Sequence, residues 1–539
     1  MGEGALGVAR WVAACLFGAW LASGWNVRAV GQVTSTQQGA QTSTSGASQE
    51  VTGRVLNGKT REPVARALVR LGSRAVLTNH DGVFDFPQVT YTSAALSVSK
   101  RGFYPSPDGN DGGTTTMVQI PVTGDVELLL YPEAVVSGTV TNPYGEGVAN
   151  LQVQLLKNTF DTLGHHWNPS GQTMTLNDGS FRVTLPPGEY RLQTRSFGGQ
   201  RVGQEFILPL QYPVDTSSGG SGFHIDPGQE LHLELRAETR KAYEVTVATE
   251  MPGGRGLPML TAHTGAGLSF PVMPMGGRGE LRFALPSGSY VLSGTVQTQE
   301  GAELAQTRVT VADHDVSGVA LDFSPLPSFP IELQVEQVAT SDNTGATATP
   351  PTAQQLGLIF VPQQDQGDGV RMYGAGSRRG QGPAFDLPEG VYRLHSQMQG
   401  PWVVTAATCG ATDLMAQDLT VSAGAASAPV RVTISNQVGT LSGTVTLDGT
   451  AGPAWIYLIA TTPSLSPLTE FRAGSAGTFT HRNVPPGSYR AVALERRVAA
   501  DMTDPAVLAT YLDRVQTVTV GAGDQAQVTL AAVPLRDIK

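Results

Sequence analysis

One short segment recurs at nearly even spacing, and it limits what this chain can fold into more than any other feature. Leu185-Pro186-Pro187-Gly188-Glu189-Tyr190-Arg191-Leu192 returns as Leu285-Pro286-Ser287-Gly288-Ser289-Tyr290-Val291-Leu292. It returns again as Leu387-Pro388-Glu389-Gly390-Val391-Tyr392-Arg393-Leu394 and as Val484-Pro485-Pro486-Gly487-Ser488-Tyr489-Arg490-Ala491. The tyrosines are 100, 102 and 97 residues apart. That period is the size of a β-sandwich domain and too long for a solenoid or propeller unit. Proline presets φ at the first central turn position and the following glycine permits positive φ, so the segment reads as a type II turn between two strands. The tyrosine opens the second strand, with its ring in the core and its hydroxyl on a backbone group or water. A sugar-stacking platform at each ring is the alternative, and the strong strand patterns on both sides favour the core.

A second signature opens the units. Val51-Thr52-Gly53-Arg54-Val55, Val136-Ser137-Gly138-Thr139-Val140 and Leu441-Ser442-Gly443-Thr444-Val445 each place apolar residues around a small-Gly pair, as in a first strand with alternating faces. A turn and an alternating second strand follow, as in Gly147-Val148-Ala149-Asn150-Leu151-Gln152-Val153. Composition agrees: 64 glycines and 35 prolines punctuate many turns, only 15% of residues are charged, and 40% are hydrophobic. At 539 residues the chain needs several cores. Its net charge of −10 is spread out, and no dense basic stripe invites nucleic acid.

The Gly-x-Val opening strand, the Gly-Val-Ala or Pro-Val-Ala second strand, the Asp-Gly-x-Phe turns (Asp81-Gly82-Val83-Phe84 and Asp178-Gly179-Ser180-Phe181) and the Pro-Gly-x-Tyr hairpin together resemble the carboxypeptidase regulatory-like domain. The resemblance covers 51–131, 135–235 and 440–535, and only the hairpin carries it in 240–325 and 328–438. It implies a transthyretin-like (prealbumin-like) β-sandwich, as in multi-domain secreted bacterial proteins. In metallocarboxypeptidases this module accompanies a catalytic domain, of which the sequence shows no sign. The expected fold is therefore all-β, a tandem array of about five small antiparallel, prealbumin-like or Ig-like Greek-key β-sandwiches. The expected divisions are 51–132, 133–237, 238–325, 326–438 and 439–539. A short helix is predicted within 504–512, with Thr503 or Asp504 as N-cap and Pro505 in its first turn.

Residues 1–31 read as a signal peptide: Arg10 precedes an apolar run of 12 residues, too short for a stable span, and small residues follow. An uncleaved anchor and lipidation at Cys15 are the alternatives. Residues 32–50, almost wholly Gln, Ser, Thr, Gly and Ala, read as a flexible linker. Removal of Cys15 would leave Cys409 alone, a small buried residue with no disulfide framework.

No catalytic constellation emerges. The nine histidines form no zinc motif, and no nucleophile elbow, P-loop or dinucleotide fingerprint occurs. The Asp108-Gly109-Asn110-Asp111-Gly112 stretch lacks the terminal Glu of a calcium loop and reads as a turn. His165-His166-Trp167 is the one histidine cluster, placed in a loop beside Gly164 and Pro169. Candidate binding residues are Trp167, Trp402, His165 and His166, with no cofactor or metal expected; Trp455 alternates like a core strand residue. The sequence thus reads as an exported, non-catalytic spacer, adhesion or interaction protein of the bacterial cell envelope, located in the periplasm, on the outer surface or outside the cell. Its expected partner is a protein or glycan at the cell surface, with no stable membrane span after signal cleavage. The alternatives are a carbohydrate-binding chain and an enzyme with a divergent site in 240–438.

Overall fold

The structure, a computed structural model, describes residues 49–90, 93–106, 116–120, 126–195, 201–202, 205–214, 222–250, 258–265, 269–277, 279–298, 301–336, 349–363, 372–377, 382–398, 400–422, 428–498, 500–534 and 537–538. The signal peptide expected at 1–31, the Cys15 alternative, nearly all of the 32–50 linker and the 108–112 turn lie outside the described residues.

The fold is all-β: five consecutive two-sheet sandwiches, each around its own apolar cluster. The opening strands are Gln49–Asn57, Ala134–Thr141, Thr239–Thr249, Ser328–Glu336 and Gly439–Leu447. Each lies between an antiparallel partner carrying a core phenylalanine and the closing strand of its own sandwich, Val126–Pro132, Glu230–Arg236, Val316–Ala320, Val430–Ser435 or Gln525–Ala531. The closing strand is parallel to the opening one in all five. The chain alternates between the sheets: it opens in the first, makes a hairpin in the second, comes back for the phenylalanine strand, crosses again and closes beside the opening strand, running the same way. One ladder per otherwise antiparallel sandwich is therefore parallel.

The opening glycines have a packing reason. Gly53 opposes Phe84, Gly138 opposes Phe181 and Gly443 opposes Phe479. A methyl group there would run into the phenylalanine ring and into the carbonyl of Val126, Leu233 or Val528 on the parallel partner. In the third and fourth sandwiches Val245 and Phe329 stand opposite Phe283 and Phe385. The pairing is kept while the glycine is lost, which is why the first-strand pattern fades there.

The two turn motifs also close on this sheet. Gly82, Gly179 and Gly477 adopt φ of 70°, 78° and 71°. Their carbonyls accept from the backbone N–H of Val55, Val140 and Val445 at 2.8, 2.9 and 2.7 Å. In the recurrent hairpin all four tyrosines are buried and donate to the carbonyl of the proline four residues back: Tyr190 to Pro186 at 2.6 Å, Tyr290 to Pro286 at 2.9 Å, Tyr392 to Pro388 at 2.9 Å and Tyr489 to Pro485 at 2.6 Å. The glycine geometry departs from the type II expectation of about +80°. Gly188, Gly288 and Gly390 have φ of 144°, 157° and 156°, a wider turn. The tyrosine ring folds back over the glycine, so a methyl on Gly288 would meet the Tyr290 hydroxyl at 2.9 Å and one on Gly390 the Tyr392 ring at 3.2 Å.

The sandwiches also share parts. Glu205–Ile207, an excursion between strands of the second, pairs with Thr239–Thr249 of the third. Phe206 is buried in the third core and Ile207 in the second. Leu465 of the fifth is buried in the core of the fourth. The helix forms at Pro505–Ala509, with the Asp504 carboxylate accepting from Ala506 N at 2.8 Å. It helps cover a second apolar cluster on the fifth sandwich: Ile456 and Leu458 face the main core, and Tyr457 and Ile459 face this one together with Met502, Leu508 and Tyr511. Phe160 of the second sandwich belongs to the same cluster. Among the described residues no helix is long and apolar enough to cross a membrane.

Candidate functional site

The histidine cluster lies on a strand, not in a loop. Gly164–Met174 pairs along its length with Gln152–Asp161, setting His165 opposite Phe160, His166 opposite Thr159 and Trp167 opposite Asn158. Ten backbone pairs hold it, and a bulge beside Leu155 absorbs the Pro169 region. His166 Nε2 stands 3.2 Å from a carboxylate oxygen of Asp161, and the other oxygen accepts from Leu163 N at 2.7 Å. Partial burial alone would raise the Asp161 pKa, yet these two hydrogen bonds hold the carboxyl below its usual range. The pair pins the tip of this hairpin. The exposed His165 leans on Phe160, 4.9 Å between ring centres. Trp167 is half-buried with the Arg191 guanidinium 4.0 Å from its ring centre, a cation–π stack that covers one face.

The pinned tip enters a cleft of about 610 Å³ where three sandwiches meet. The second supplies Thr162 and Leu163; the fourth supplies His395, Ser396 and Trp402; the fifth supplies residues between Leu458 and Tyr489, including His481. Hydrogen bonds join the walls, with Ser396 N donating to Leu465 O at 3.2 Å and Ser466 Oγ to Ser396 O at 2.7 Å. Trp402 is 5% exposed and His395 8%. Neither Trp402 Nε1 nor His395 Nδ1 has a hydrogen-bond partner among the described residues. Each such buried atom costs about 1–3 kcal/mol until something pairs with it.

Burial pushes the His395 pKa below its usual value, and the nearby Arg393 adds to the shift, while Asp161, Asp418 and a hydrogen bond with the Thr162 backbone oppose it. Burial likewise lowers His481, whose ring stacks on Phe471 at 4.4 Å and 6°. Both imidazoles are therefore neutral near pH 7. The cleft offers an indole donor, neutral imidazole and serine and threonine hydroxyls, beside Glu470, which Arg497 holds at 2.7 Å, and the exposed Arg482.

Trp402 and the His165–Trp167 segment thus sit near one junction but not in one site: Trp402 lines the cleft, and the tip that His166 braces reaches into it. Trp455 is half-buried on the second cluster of the fifth sandwich, with Arg497 5.9 Å from its ring centre. His395 and His481 carried no sequence signal, being isolated histidines that only the packing of separate sandwiches brings together. Among the described residues no group of three or more His, Cys, Asp or Glu gathers as a metal site. Cys409 is buried, and burial raises its thiol pKa.

Residues 135–236 match the carboxypeptidase regulatory-like domain family. No curated protein matches the chain. Among solved structures it is similar to the Bacillus anthracis TIE protein, at 12% identity over 51% of this chain and 50% of that one, with a TM-score of 0.18. It thus spans about half of that protein. A streptococcal ancillary pilin is matched at 11% identity over 54% of this chain and 99% of the pilin, with a TM-score of 0.18. GBS52, the minor pilin of Streptococcus agalactiae, is matched at 11% identity over 35% and 96%, with a TM-score of 0.20.

Proposed function

We propose that this chain is an exported, non-catalytic interaction protein whose tandem sandwiches act as spacer and adhesion modules at a bacterial cell surface. The observation that carries this reading is where the recurrent polar chemistry goes. The four hairpin hydroxyls close on proline carbonyls, and the Asp-Gly turns close on the opening strands. The repeated motifs are spent on holding a scaffold, and differences between units are left to loops and junctions, where partners are met. Beads coated with the purified chain should be retained on whole cells under washing better than beads carrying heat-unfolded chain. Retention no better than that control, with turnover in a panel of ester, glycoside and peptide substrates, would overturn the reading. Protease shaving of intact cells should release peptides from 51–539; their confinement to the cytosol would overturn export.

A second reading, carbohydrate binding, is supported by the cleft. The partnerless Trp402 Nε1 and His395 Nδ1 lie among hydroxyl-bearing side chains, with Glu470 and Arg482 also lining the cleft. A glycan array probed with the chain and with Trp402→Phe separates the two readings: hits that vanish in the variant support sugar binding at the cleft, and an array without hits removes it.

A further inference from the structure

On the first sandwich an open hollow of about 790 Å³ is lined by Ala65, Arg66, Leu68, Ser99, Lys100 and Arg101. Leu68 pairs with Ser99 at the end of the ladder between Leu68–Leu71 and Ser93–Ser99, so the chain before the one and after the other leaves the sheet at one place. Half of the lining residues are cations and none is acidic, in a chain whose net charge is −10. Other cations of this sandwich are engaged: Arg61 by Glu127 at 2.6 Å, Arg74 by the Pro87 carbonyl at 2.6 Å and Lys59 by the Pro227 carbonyl at 2.9 Å. Among the described residues Arg66, Lys100 and Arg101 form no ion pair, although Glu133 is held close by, its N–H donating to Gly102 O at 2.9 Å. The Lys100 ammonium lies instead 5.1 Å from the Phe103 ring centre.

The backbone at Arg66 points the same way. Arg66 stands at φ 55°, in the left-handed region, with its N–H donating to Thr78 O at 2.9 Å. The second sandwich builds the same corner with Asn150, at φ 56° and with its N–H on Thr175 O at 3.0 Å. Both threonine hydroxyls close the corner alike, accepting from Ala67 N or Leu151 N and donating to Val64 O or Val148 O. Asparagine suits that backbone better than arginine does. The turn therefore gives no reason for an arginine, and its side chain in the hollow does.

We propose that this hollow binds a phosphate group, as a monoester or diester carried on a larger partner. Guanidinium forks match phosphate oxygens two at a time, the ammonium adds a point charge, and the Ser99 hydroxyl is a further donor. One fork satisfies a carboxylate, whereas phosphate has oxygens for several donors at once. Three like charges around one hollow repel one another, and the anion removes that repulsion. The hollow is larger than a lone phosphate fills, which leaves room for its carrier. The site rests on the charges of the chain itself and not on the cell-surface reading.

The test is binding of fluorescently labelled polyphosphate to the full chain, with phosphatidylglycerol vesicles as a second probe. Binding to at least one is expected, weakening as salt rises. R66N/K100Q/R101Q should weaken it about tenfold or more, with an unchanged unfolding midpoint. R54Q/R308Q/R490Q removes the same charge from three exposed arginines elsewhere and should weaken it about twofold or less. Polyphosphate alone assigns the site to a phosphate polymer, vesicles alone to a lipid headgroup, and both to the group they share; each supports the site. Polyglutamate of similar length should compete poorly, and equal competition would overturn phosphate as the ligand. Equal losses in the two triple variants, or a chain that binds neither probe, would overturn the site.

Discussion

The hydroxyl of Tyr190 donates to the carbonyl of Pro186 at 2.6 Å, closing a loop of five residues centred on Gly188. The same bond recurs at Tyr290, Tyr392 and Tyr489, always to the proline four residues earlier. The tyrosine hydroxyl gives the proline carbonyl at the turn a partner while the ring fills the core.

Tyr190→Phe or Tyr489→Phe should therefore cost about 1 kcal/mol, the worth of one hydrogen bond, and Tyr190→Ala about 3–5 kcal/mol because the ring is lost too. Urea unfolding of the full chain measures both. Burial pushes the Tyr489 hydroxyl up to about 12. Above the usual tyrosine value near 10, the unfolded chain sheds this proton and the folded one keeps it, so stability should fall between about pH 10 and 12. A spectrophotometric titration should show exposed tyrosines ionising first and the hairpin tyrosines only with unfolding.

Gly138→Ala should cost at least about 1–3 kcal/mol, because its methyl meets both the Phe181 ring and a backbone carbonyl that cannot swing aside. Gly443→Ala should behave alike. Gly374, with nothing within 4 Å of a built Cβ, is the control, and its alanine variant should stay within about 0.5 kcal/mol. Equal effects at Gly138 and Gly374, read as unfolding midpoints, would show that the close approach to Phe181 is not what requires glycine.

The hairpins were readable because each is local: proline, glycine and tyrosine lie within a few residues and carry their own chemistry. So was the N-cap of the terminal helix, where Asp504 and Pro505 are adjacent. What the sequence could not show is long-range. The small-Gly pairs are visible, but that Gly53 lies beneath Phe84 depends on a register between residues 31 apart. The loop expected at His165-His166-Trp167 is a strand because ten backbone pairs with Gln152–Asp161 outweigh the turn signals of Gly164 and Pro169. The cleft was least legible, since Thr162, His395 and His481 belong to three different sandwiches and no periodicity joins them.

Acid should loosen that junction. His395 and His481 both have pKa values lowered by burial. Below about 6.5, the usual histidine value, the unfolded chain takes up protons that the folded one refuses, so stability rises with pH below that point and is fully present above it. The unfolding midpoint should be flat from pH 7 to 8 and fall as pH drops below about 6.5. His395→Gln with His481→Gln should flatten that fall; an unchanged slope would assign it to other groups.

Phe160 tests whether the second and fifth sandwiches act as one piece. It lies on a strand of the second, yet it is 8% exposed because it is buried in the cluster formed by Tyr457, Ile459, Leu468 and Met502 of the fifth. A side chain buried by a neighbouring module transmits that module's stability to its own. Phe160→Ala should remove about 3 kcal/mol of this coupling while leaving both sandwich cores intact, since Phe160 belongs to neither. The expected result in calorimetry is that one shared transition separates into two, with the fifth sandwich melting earlier. Hydrogen exchange should rise at Trp455–Ala460 and in the Pro505–Ala509 helix, and not at Ala134–Thr141. A single transition shifted as a whole would mean that Phe160 supports the second sandwich alone.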